Sequence, residues 1–459
     1  LFLLGSTGAQ VVTNFFRTID QSAGTDGVYL PDEIKYNFVD QKFVLAGTAR
    51  SSTFSSGEFG WVEKRNQVGS ADWNIRVEAT ENGFDTTLRA MELDSNNNLI
   101  VVGKTGGIPW VAKYSNGGVI DWQSTTNTGD VEYTGVISDS NGQYYACGNR
   151  FFTGGTSGPT AFVEKFDEFG VPGWGKAAFM LGRDVILSKI SANNRGEIVA
   201  VGYLEDDSSD KGYIVKIDTN TGEVLWDKTL EVFTETSGAK QNVWCQDVYT
   251  DSNDQIYVVG RIGDATEIRS FLIKYTPEGN IIWQKETPRE ERIEYFQVKS
   301  DGETEQTVVF GIYFDINADQ SGIISKYSKN GDLIWRRIIF SSETVLGNKP
   351  FGQTSRSERS FGGYVSLDAD PSFYYVLFID KTVFVPSNTP EQYTFGKISS
   401  SGNGLGNFQY EDGTGEIYNY EILNVPDEIG RLSDGSVRQD TSDLITYPFS
   451  ANKLLFDDL

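Results

Sequence analysis

Short loops rich in oxygen-bearing side chains are the first candidates for chemistry. Residues 315–321, with the sequence DINADQS, alternate such side chains as a calcium loop does, but Lys326 stands where the closing Glu would be. The runs at 94–98 and 251–254 have a similar composition and recur at one place in a repeated unit. That recurrence favours turns, and we interpret residues 315–321 as an exposed polar turn as well, leaving metal binding open.

Residues for familiar catalysis are sparse. The chain has no His, which removes the commonest general base and the commonest transition-metal ligand. It has no GxSxG elbow, phosphate-binding GxxxxGK[ST] loop or paired CxxC motif. Its 64 Asp and Glu residues leave a carboxylate pair for glycoside hydrolysis possible, but no pair stands out. We therefore assign no catalytic or cofactor-binding residue and expect neither an enzyme nor a cofactor.

The cysteines and several tyrosines fit a structural role. Cys147 and Cys245 are too few for a disulfide framework, and we interpret them as small buried residues in strands. Four tyrosines could stack on sugars, but their alternating contexts favour packing within strands; they are Tyr144, Tyr145, Tyr374 and Tyr375.

The elements that carry these residues repeat about every fifty residues. The first part of the unit is an Asp/Asn/Gly turn followed by an apolar strand that ends in Gly, at Gly47, Gly103, Gly148, Gly202, Gly260 and Gly311. The second part is a hairpin whose Lys and Trp lie nine or ten residues apart: Lys64 and Trp73, Lys113 and Trp122, Lys165 and Trp174, Lys216 and Trp226, Lys274 and Trp283, Lys326 and Trp335. A degenerate seventh copy has Lys397 and then Phe408.

This unit predicts an all-β fold, a β-propeller of four-stranded antiparallel blades. The Gly- and Asn-containing turns are hairpin signals, and radial stacking buries both apolar faces of each sheet. We expect Trp to fill the space between adjacent sheets. Seven blades are favoured over eight. Residues 1–37, including a strand at 1–5 and another at 11–16, would close the ring or form a partial blade; 38–410 would form the propeller, and 411–459 an irregular exit or connecting segment.

Charge excludes some partners. Lys and Arg number 39 against 64 acidic residues, giving a net charge of −25 and a pI near 4.4. Such a surface repels nucleic acid and anionic membranes, and no apolar stretch is long enough for a transmembrane helix. We expect no nucleic-acid partner and no membrane insertion.

Three resemblances extend these expectations. Residues 38–410 resemble the seven-bladed propeller repeats of many secreted and surface bacterial proteins, which implies a scaffold rather than an activity. Residues 430–438 and 442–458 resemble segments of virion structural proteins of marine cyanophages with contractile tails, which implies a tail, baseplate or fibre. The hairpin at 217–226 is similar to the tryptophan docking motif of quinoprotein dehydrogenases, but Cys147 and Cys245 do not form that family's vicinal pair, so we favour blade packing.

Together these features predict a non-enzymatic structural or adhesive module of an extracellular assembly, located in a phage tail or otherwise outside the cell. Its expected partners are other structural proteins of an oligomeric assembly and a host-surface glycan or receptor. The alternative is a secreted or periplasmic propeller that binds or cleaves a glycan or small ligand at its central pocket. Carboxylates and aromatic residues converging at the channel mouth would favour that alternative, and a channel filled by side chains would oppose it.

Overall fold

The computed structural model describes most of residues 28–343 and parts of the remaining chain. The described ranges are 15–19, 28–37, 39–50, 58–66, 70–77, 86–105, 108–125, 130–151, 160–179, 184–205, 208–233, 240–263, 268–287, 292–300, 304–314, 320–343, 359–369, 373–382, 392–399, 401, 406–411, 417–424, 444–448 and 455–458. Within these ranges the regular elements are all β-strands. No helix long and apolar enough to cross a membrane is found there.

Six blades are each built from four consecutive antiparallel strands. Strand β1 (Phe15–Ile19) precedes them; the first blade contains β2 (Val28–Asn37), β3 (Lys42–Arg50), β4 (Glu58–Arg65) and β5 (Ala71–Val77), and the second contains β6 (Thr86–Leu93), β7 (Leu99–Thr105), β8 (Ile108–Tyr114) and β9 (Ile120–Thr125). The third blade contains β10 (Asp130–Ser138), β11 (Tyr144–Phe151), β12 (Thr160–Phe166) and β13 (Pro172–Phe179), and the fourth contains β14 (Val185–Ala192), β15 (Glu197–Leu204), β16 (Lys211–Asp218) and β17 (Val224–Phe233), with β18 (Lys240–Gln241) at its edge. The fifth blade contains β19 (Val243–Thr250), β20 (Ile256–Ile262), β21 (Arg269–Tyr275) and β22 (Ile281–Glu286), and the sixth contains β23 (Arg292–Ser300), β24 (Thr307–Phe314), β25 (Gln320–Tyr327) and β26 (Leu333–Glu343). The prediction of an all-β propeller of four-stranded antiparallel blades is confirmed.

A further four-stranded sheet joins the two ends of the chain. It contains β27 (Arg359–Ala369), β28 (Phe373–Thr382) and β29 (Gln392–Ser399), and its fourth strand is the N-terminal β1, which pairs antiparallel with β29. The strand that carries Phe408 was predicted for this position, and that prediction is wrong. Phe408 follows Lys397 by eleven positions, against nine or ten between Lys and Trp in the other six hairpins, and no Trp is present; β1 takes the edge of this sheet instead.

The C-terminal strands lie on the outer edges of other blades. They are β30 (Gly406–Glu411), β31 (Ile417–Asn424), β32 (Leu444–Pro448) and β33 (Leu455–Asp458). Strand β31 pairs with β26 of the sixth blade, β32 with β17 of the fourth and β33 with β13 of the third. Residues 28–37, which the sequence division placed before the propeller, form the inner strand of the first blade, and the strand predicted at 1–5 lies outside the described residues.

In four blades the Asp or Asn that opens the first turn hydrogen-bonds to the backbone of its own turn. In the second blade, Asp94 Oδ1 accepts hydrogen bonds from the backbone N–H groups of Asn96 and Asn98, at 2.9 and 2.8 Å. The equivalent oxygen of Asp139, Asn193 and Asp251 makes the same pair of bonds in other blades. This is the Asx-turn arrangement. The prediction that the runs at 94–98 and 251–254 serve as turns is confirmed.

In the first five blades the Lys and Trp of the hairpin reach into the following blade. In three blades the two side chains donate to one backbone carbonyl oxygen of the next blade's outer turn, which we call the Lys–Trp latch. The shared acceptors are Asn116 for Lys64 and Trp73, Thr219 for Lys165 and Trp174, and Pro277 for Lys216 and Trp226. Trp122 and Trp283 donate in the same way to Glu168 and Lys329. The Lys and Trp that recur in the hairpins therefore make hydrogen bonds between neighbouring blades.

We expect Gly170→Ala to destabilise the protein by about 1–3 kcal/mol more than Gly142→Ala. Both glycines have positive φ, +77° and +75°, so both variants carry the same backbone strain. A β-carbon on Gly170 would lie 2.4 Å from the Trp122 ring of the preceding blade, whereas one on Gly142 has its nearest neighbour at 3.8 Å. Urea unfolding of both variants measures the difference. If Gly170→Ala and Gly142→Ala lower the free energy of unfolding equally, the tryptophan does not restrict this turn. In a Trp122→Ala background we expect the difference between the two variants to shrink.

The core consists of separate apolar layers between neighbouring sheets. One layer contains Cys147, Leu187, Val215 and Tyr145, and the next contains Cys245, Val258 and Leu230. Both cysteines are fully buried and unpaired, and Tyr144 and Tyr145 are buried as well. These residues pack as predicted, which removes the described tyrosines as exposed sugar platforms. The side chains of Tyr374 and Tyr375 lie outside the described residues.

Candidate ligand site in the central channel

The inner strands of the blades place two layers of side chains around one central cavity. Residues on a strand alternate between its two sides, so positions two apart point the same way. By register, the first layer contains Glu33, Ala90, Gly135, Lys189, Asp247 and Gln297, and the second contains Lys35, Glu92, Ile137, Ser191, Tyr249, Lys299 and Asp368. All of these residues except Gly135 line one cavity, which has a volume of about 480 Å³.

A bulge in each inner strand fixes these layers. The bulges lie between Pro31 and Glu33, Leu88 and Ala90, Tyr133 and Gly135, Leu187 and Lys189, Cys245 and Asp247, and Tyr295 and Gln297. The residue just after each bulge belongs to the first layer. Because a bulge adds one residue to one strand and bends it, it aims the following side chains at the channel.

One part of the channel is occupied by a charge network. Lys35 Nζ lies 2.8 Å from Glu92 and 3.7 Å from Glu33, and Lys189 Nζ lies 3.6 Å from Glu33. Glu33 is in the first blade and Lys189 in the fourth, so their ion pair crosses the channel. Burial raises the pKa of Glu33, but Lys189, Lys35 and the Met91 N–H outweigh it and hold that pKa below its usual value.

The acidic residues also tie neighbouring sheets together. Glu33 Oε2 accepts the Met91 N–H at 2.8 Å, and Asp247 Oδ2 accepts the Val298 N–H at 2.9 Å. In the sheet containing β27, Asp368 Oδ2 accepts the Tyr36 N–H of the first blade at 2.8 Å. Each carboxylate therefore satisfies a backbone donor in the adjacent sheet, which is a structural use of a charged group.

A second part of the channel, formed by the fifth and sixth blades, has polar groups with fewer protein contacts. Lys299 Nζ has no carboxylate within ion-pair distance among the described residues and lies 5.1 Å from the centre of the Tyr249 ring. Burial raises the pKa of Tyr249 to about 12, so its hydroxyl stays protonated at neutral pH. Burial also raises the pKa of Asp247, against the charges of Lys299 and Lys189 and the Val298 N–H. Asp247, Tyr249 and Lys299 all line the cavity.

Asp32 occupies the bulge of the first blade, and its Oδ2 is buried with no hydrogen-bond partner among the described residues. Burial raises its pKa to about 7, although Arg89 and Lys189 act in the opposite direction. Because the folded pKa exceeds the unfolded one, ionising Asp32 opposes folding, and this penalty grows as the pH rises from about 4 to about 7.

We expect Asp32→Asn to stabilise the protein at pH 8 by on the order of 2 kcal/mol and to have a much smaller effect near pH 4, where the folded carboxyl is protonated and the unfolded one is only about half ionised. Urea unfolding at pH 4, 6 and 8 measures this. The control is Asp121→Asn, which changes the same group at an exposed position and should alter the stability little. A gain of equal size at every pH would contradict the assignment.

The remaining sequence predictions concern metals and cofactors. Residues 315–319 of the proposed calcium loop lie outside the described residues. In the part of the chain that is described, no three His, Cys, Asp or Glu side chains are arranged to hold a metal ion. In the hairpin at 217–226, Trp226 Nε1 donates to Pro277 O at 3.2 Å, a contact that joins two blades.

Sequence reasoning did not identify the channel residues, although a signal was present. The second-layer residue always precedes the Asp or Asn of the first turn by two positions, as Lys35 precedes Asn37, Glu92 precedes Asp94 and Tyr249 precedes Asp251. The residue types at this position differ from blade to blade, so self-alignment does not reveal them. Their shared position in the repeat, two residues before the Asp or Asn of the first turn, does identify them.

These features define a β-propeller whose polar channel is crossed by side chains. No protein-family model matches the chain, and no curated protein sequence matches it. Among solved structures, Drosophila semaphorin 2a shares 8% identity over 83% of this chain and 74% of that chain, with a TM-score of 0.49. An ulvan lyase of a polysaccharide lyase family shares 11% identity over 83% and 95%, with a TM-score of 0.47, and the endosialidase of phage phi92 shares 10% over 97% and 79%, with a TM-score of 0.45. At these values the likeness carries no argument about activity.

Proposed function

We propose that this chain is a non-enzymatic structural or adhesive module of an extracellular assembly, specifically a tail, baseplate or fibre protein of a phage virion. The observation that supports this proposal is the use of the acidic channel residues. Glu33, Glu92, Asp247 and Asp368 each hold a Lys or a backbone N–H of a neighbouring sheet. A glycoside hydrolase needs two carboxyl groups available to move protons or attack the sugar.

The C-terminal strands agree with a role in assembly. An exposed sheet edge is a common docking site for another strand. Here strands from 417–458 cover the outer edges of the third, fourth and sixth blades, and this stretch includes the segments that resemble cyanophage virion proteins. The outer strands β5, β9 and β22 have no further strand paired to them among the described residues. These edges are where we place contacts with neighbouring subunits.

We also infer that the sheet of β27, β28, β29 and β1 is the seventh blade of a closed ring. Strand β27 packs against β23 on one side and β2 on the other. The Asp368 carboxylate and the pairing of β1 with β29 then fasten the two ends of the propeller.

Cryo-electron microscopy of the native particle that carries this chain tests all three statements. We expect a seven-bladed density whose outer edges contact other subunits of a tail or fibre, with the C-terminal strands on the propeller. A companion assay offers the purified chain a panel of acidic and neutral polysaccharides and measures released oligosaccharide. Turnover of a polysaccharide would overturn the non-enzymatic part of the proposal, and a free monomer in place of an assembly would overturn the structural part.

A further inference from the structure

The central channel is divided into two parts with different chemistry. The part formed by Glu33, Lys35, Glu92 and Lys189 neutralises itself through three ion pairs. The part formed by Asp247, Tyr249 and Lys299 contains no ion pair within 4 Å among the described residues. The charge of Lys299 interacts with those of Asp247 and Glu33, but among the described residues it makes no ion pair within 4 Å, whereas Lys35 Nζ lies 2.8 Å from Glu92.

Each of the three groups has capacity left for a ligand. Lys299 Nζ has three donors, lies 5.1 Å from the centre of the Tyr249 ring and makes no ion pair within 4 Å among the described residues. The Tyr249 hydroxyl has no hydrogen-bond partner among the described residues, and Tyr249 lines the cavity. Asp247 uses Oδ2 for the Val298 N–H, which leaves Oδ1 to accept from a ligand. Two donors and one acceptor thus face the same space.

The geometry points to a binding site for a small carboxylated sugar, and we propose that Lys299 and Tyr249 hold its carboxylate while Asp247 accepts from one of its hydroxyl groups. A charged donor beside a neutral hydroxyl suits a carboxylate, and the acceptor beside them selects a ligand that also carries O–H groups. Ser95, Asn97 and Ser300 line the same cavity and add hydroxyl and amide groups. A volume of about 480 Å³ accommodates a ligand of one or two sugar rings.

Binding of the sugar makes and breaks no covalent bond, so it is compatible with the non-enzymatic function proposed above. It adds a ligand to that function. Assembly through the blade edges and binding in the channel use different residues. Either can therefore fail while the other stands, and the two experiments distinguish the failures.

Isothermal titration of the purified full chain with sodium D-glucuronate tests the proposal, with methyl glucoside and inorganic phosphate as competing probes. We expect glucuronate to bind with a Kd of about 1 mM or tighter, and the neutral sugar and phosphate to bind at least about 10-fold more weakly. Lys299→Met should weaken glucuronate binding at least about 10-fold, and Tyr249→Phe about 3- to 10-fold, since the latter removes one hydroxyl. Lys329→Met, which removes the same charge from an exposed turn, should leave binding unchanged.

Several outcomes overturn the proposal. They are no heat from glucuronate up to about 50 mM, equal binding of methyl glucoside, and equal binding of phosphate, which would reveal a general anion site. Undiminished binding by Lys299→Met also overturns it. Circular dichroism and urea unfolding confirm that each variant is folded. If Lys299→Met does not fold, the Tyr249→Phe variant decides, because it keeps the ring that contacts Lys299.

Discussion

Replacing Gly202 by Ala should lower the free energy of unfolding by about 3 kcal/mol or more, one of the largest effects of any single methyl group in this protein. The added β-carbon would lie 1.8 Å from the Ile186 carbonyl oxygen and 2.8 Å from the Leu187 Cα. Both are backbone atoms next to the bulge between Leu187 and Lys189, and a rotamer change cannot move them. Urea unfolding followed by tryptophan fluorescence measures the loss.

The control is Gly117→Ala, because a β-carbon there would have its nearest neighbour at 3.8 Å. We expect that variant to lie within about 0.5 kcal/mol of the wild type. A Gly202→Ala loss below about 1 kcal/mol would show that the bulge yields easily. The same close approach recurs at Gly103, Gly148, Gly260 and Gly311, where the added atom would lie 1.9 to 2.2 Å from a carbonyl oxygen. In these five blades the Gly near the end of the second strand is therefore the partner of the bulge that shapes the channel.

The second large effect is expected for Lys216→Met, which should destabilise the fold by about 3–5 kcal/mol. The Lys216 side chain is 3% exposed; its Nζ lies 2.5 Å from Glu197 and donates to Pro277 O at 2.8 Å. Met matches the length of the stem but leaves the carboxylate without its cation and the Pro277 carbonyl with the Trp226 N–H alone. The free energy of unfolding, again from urea titration, provides the measurement.

The matched control for this variant is Lys329→Met, whose exposed side chain lies in the outer turn of the sixth blade and should change stability by less than about 0.5 kcal/mol. A Trp226→Phe variant separates the two halves of the latch, because it keeps a large ring and removes one donor; we expect about 1 kcal/mol from that change. If Lys216→Met and Lys329→Met behave alike, the latch is only a packing contact.

The local features were predictable because they depend on local chemistry. An Asp or Asn followed by Asn and Gly predicts a turn from its own hydrogen-bonding groups, and the structure uses Asp94 and Asp251 in that way. Alternating apolar residues predict strands, and a unit of about fifty residues predicts blades. The buried positions of Cys147 and Cys245 followed from their places in those strands.

The partner of each long side chain was not predictable in the same way. A Lys and a Trp nine or ten residues apart indicate a hairpin, but the carbonyl they share is more than forty residues further along the chain, in the next blade. The degenerate seventh copy misled for a related reason. Its sequence predicts Phe408 in place of the Trp, whereas the edge of this sheet belongs to β1, which lies more than 370 positions earlier in the chain.

The sequence by itself determined the repeat, the turns, the four-stranded blade and the acidic charge of the surface, because each depends on neighbours in the chain or on composition. Only the tertiary structure decided that Glu33 and Lys189 meet across the channel, that Asp247, Tyr249 and Lys299 share its other part, and that β1 completes the last sheet. The radial arrangement of the blades is the physical reason. It brings one position from every repeat to a common axis, and residues about fifty to several hundred positions apart become neighbours there.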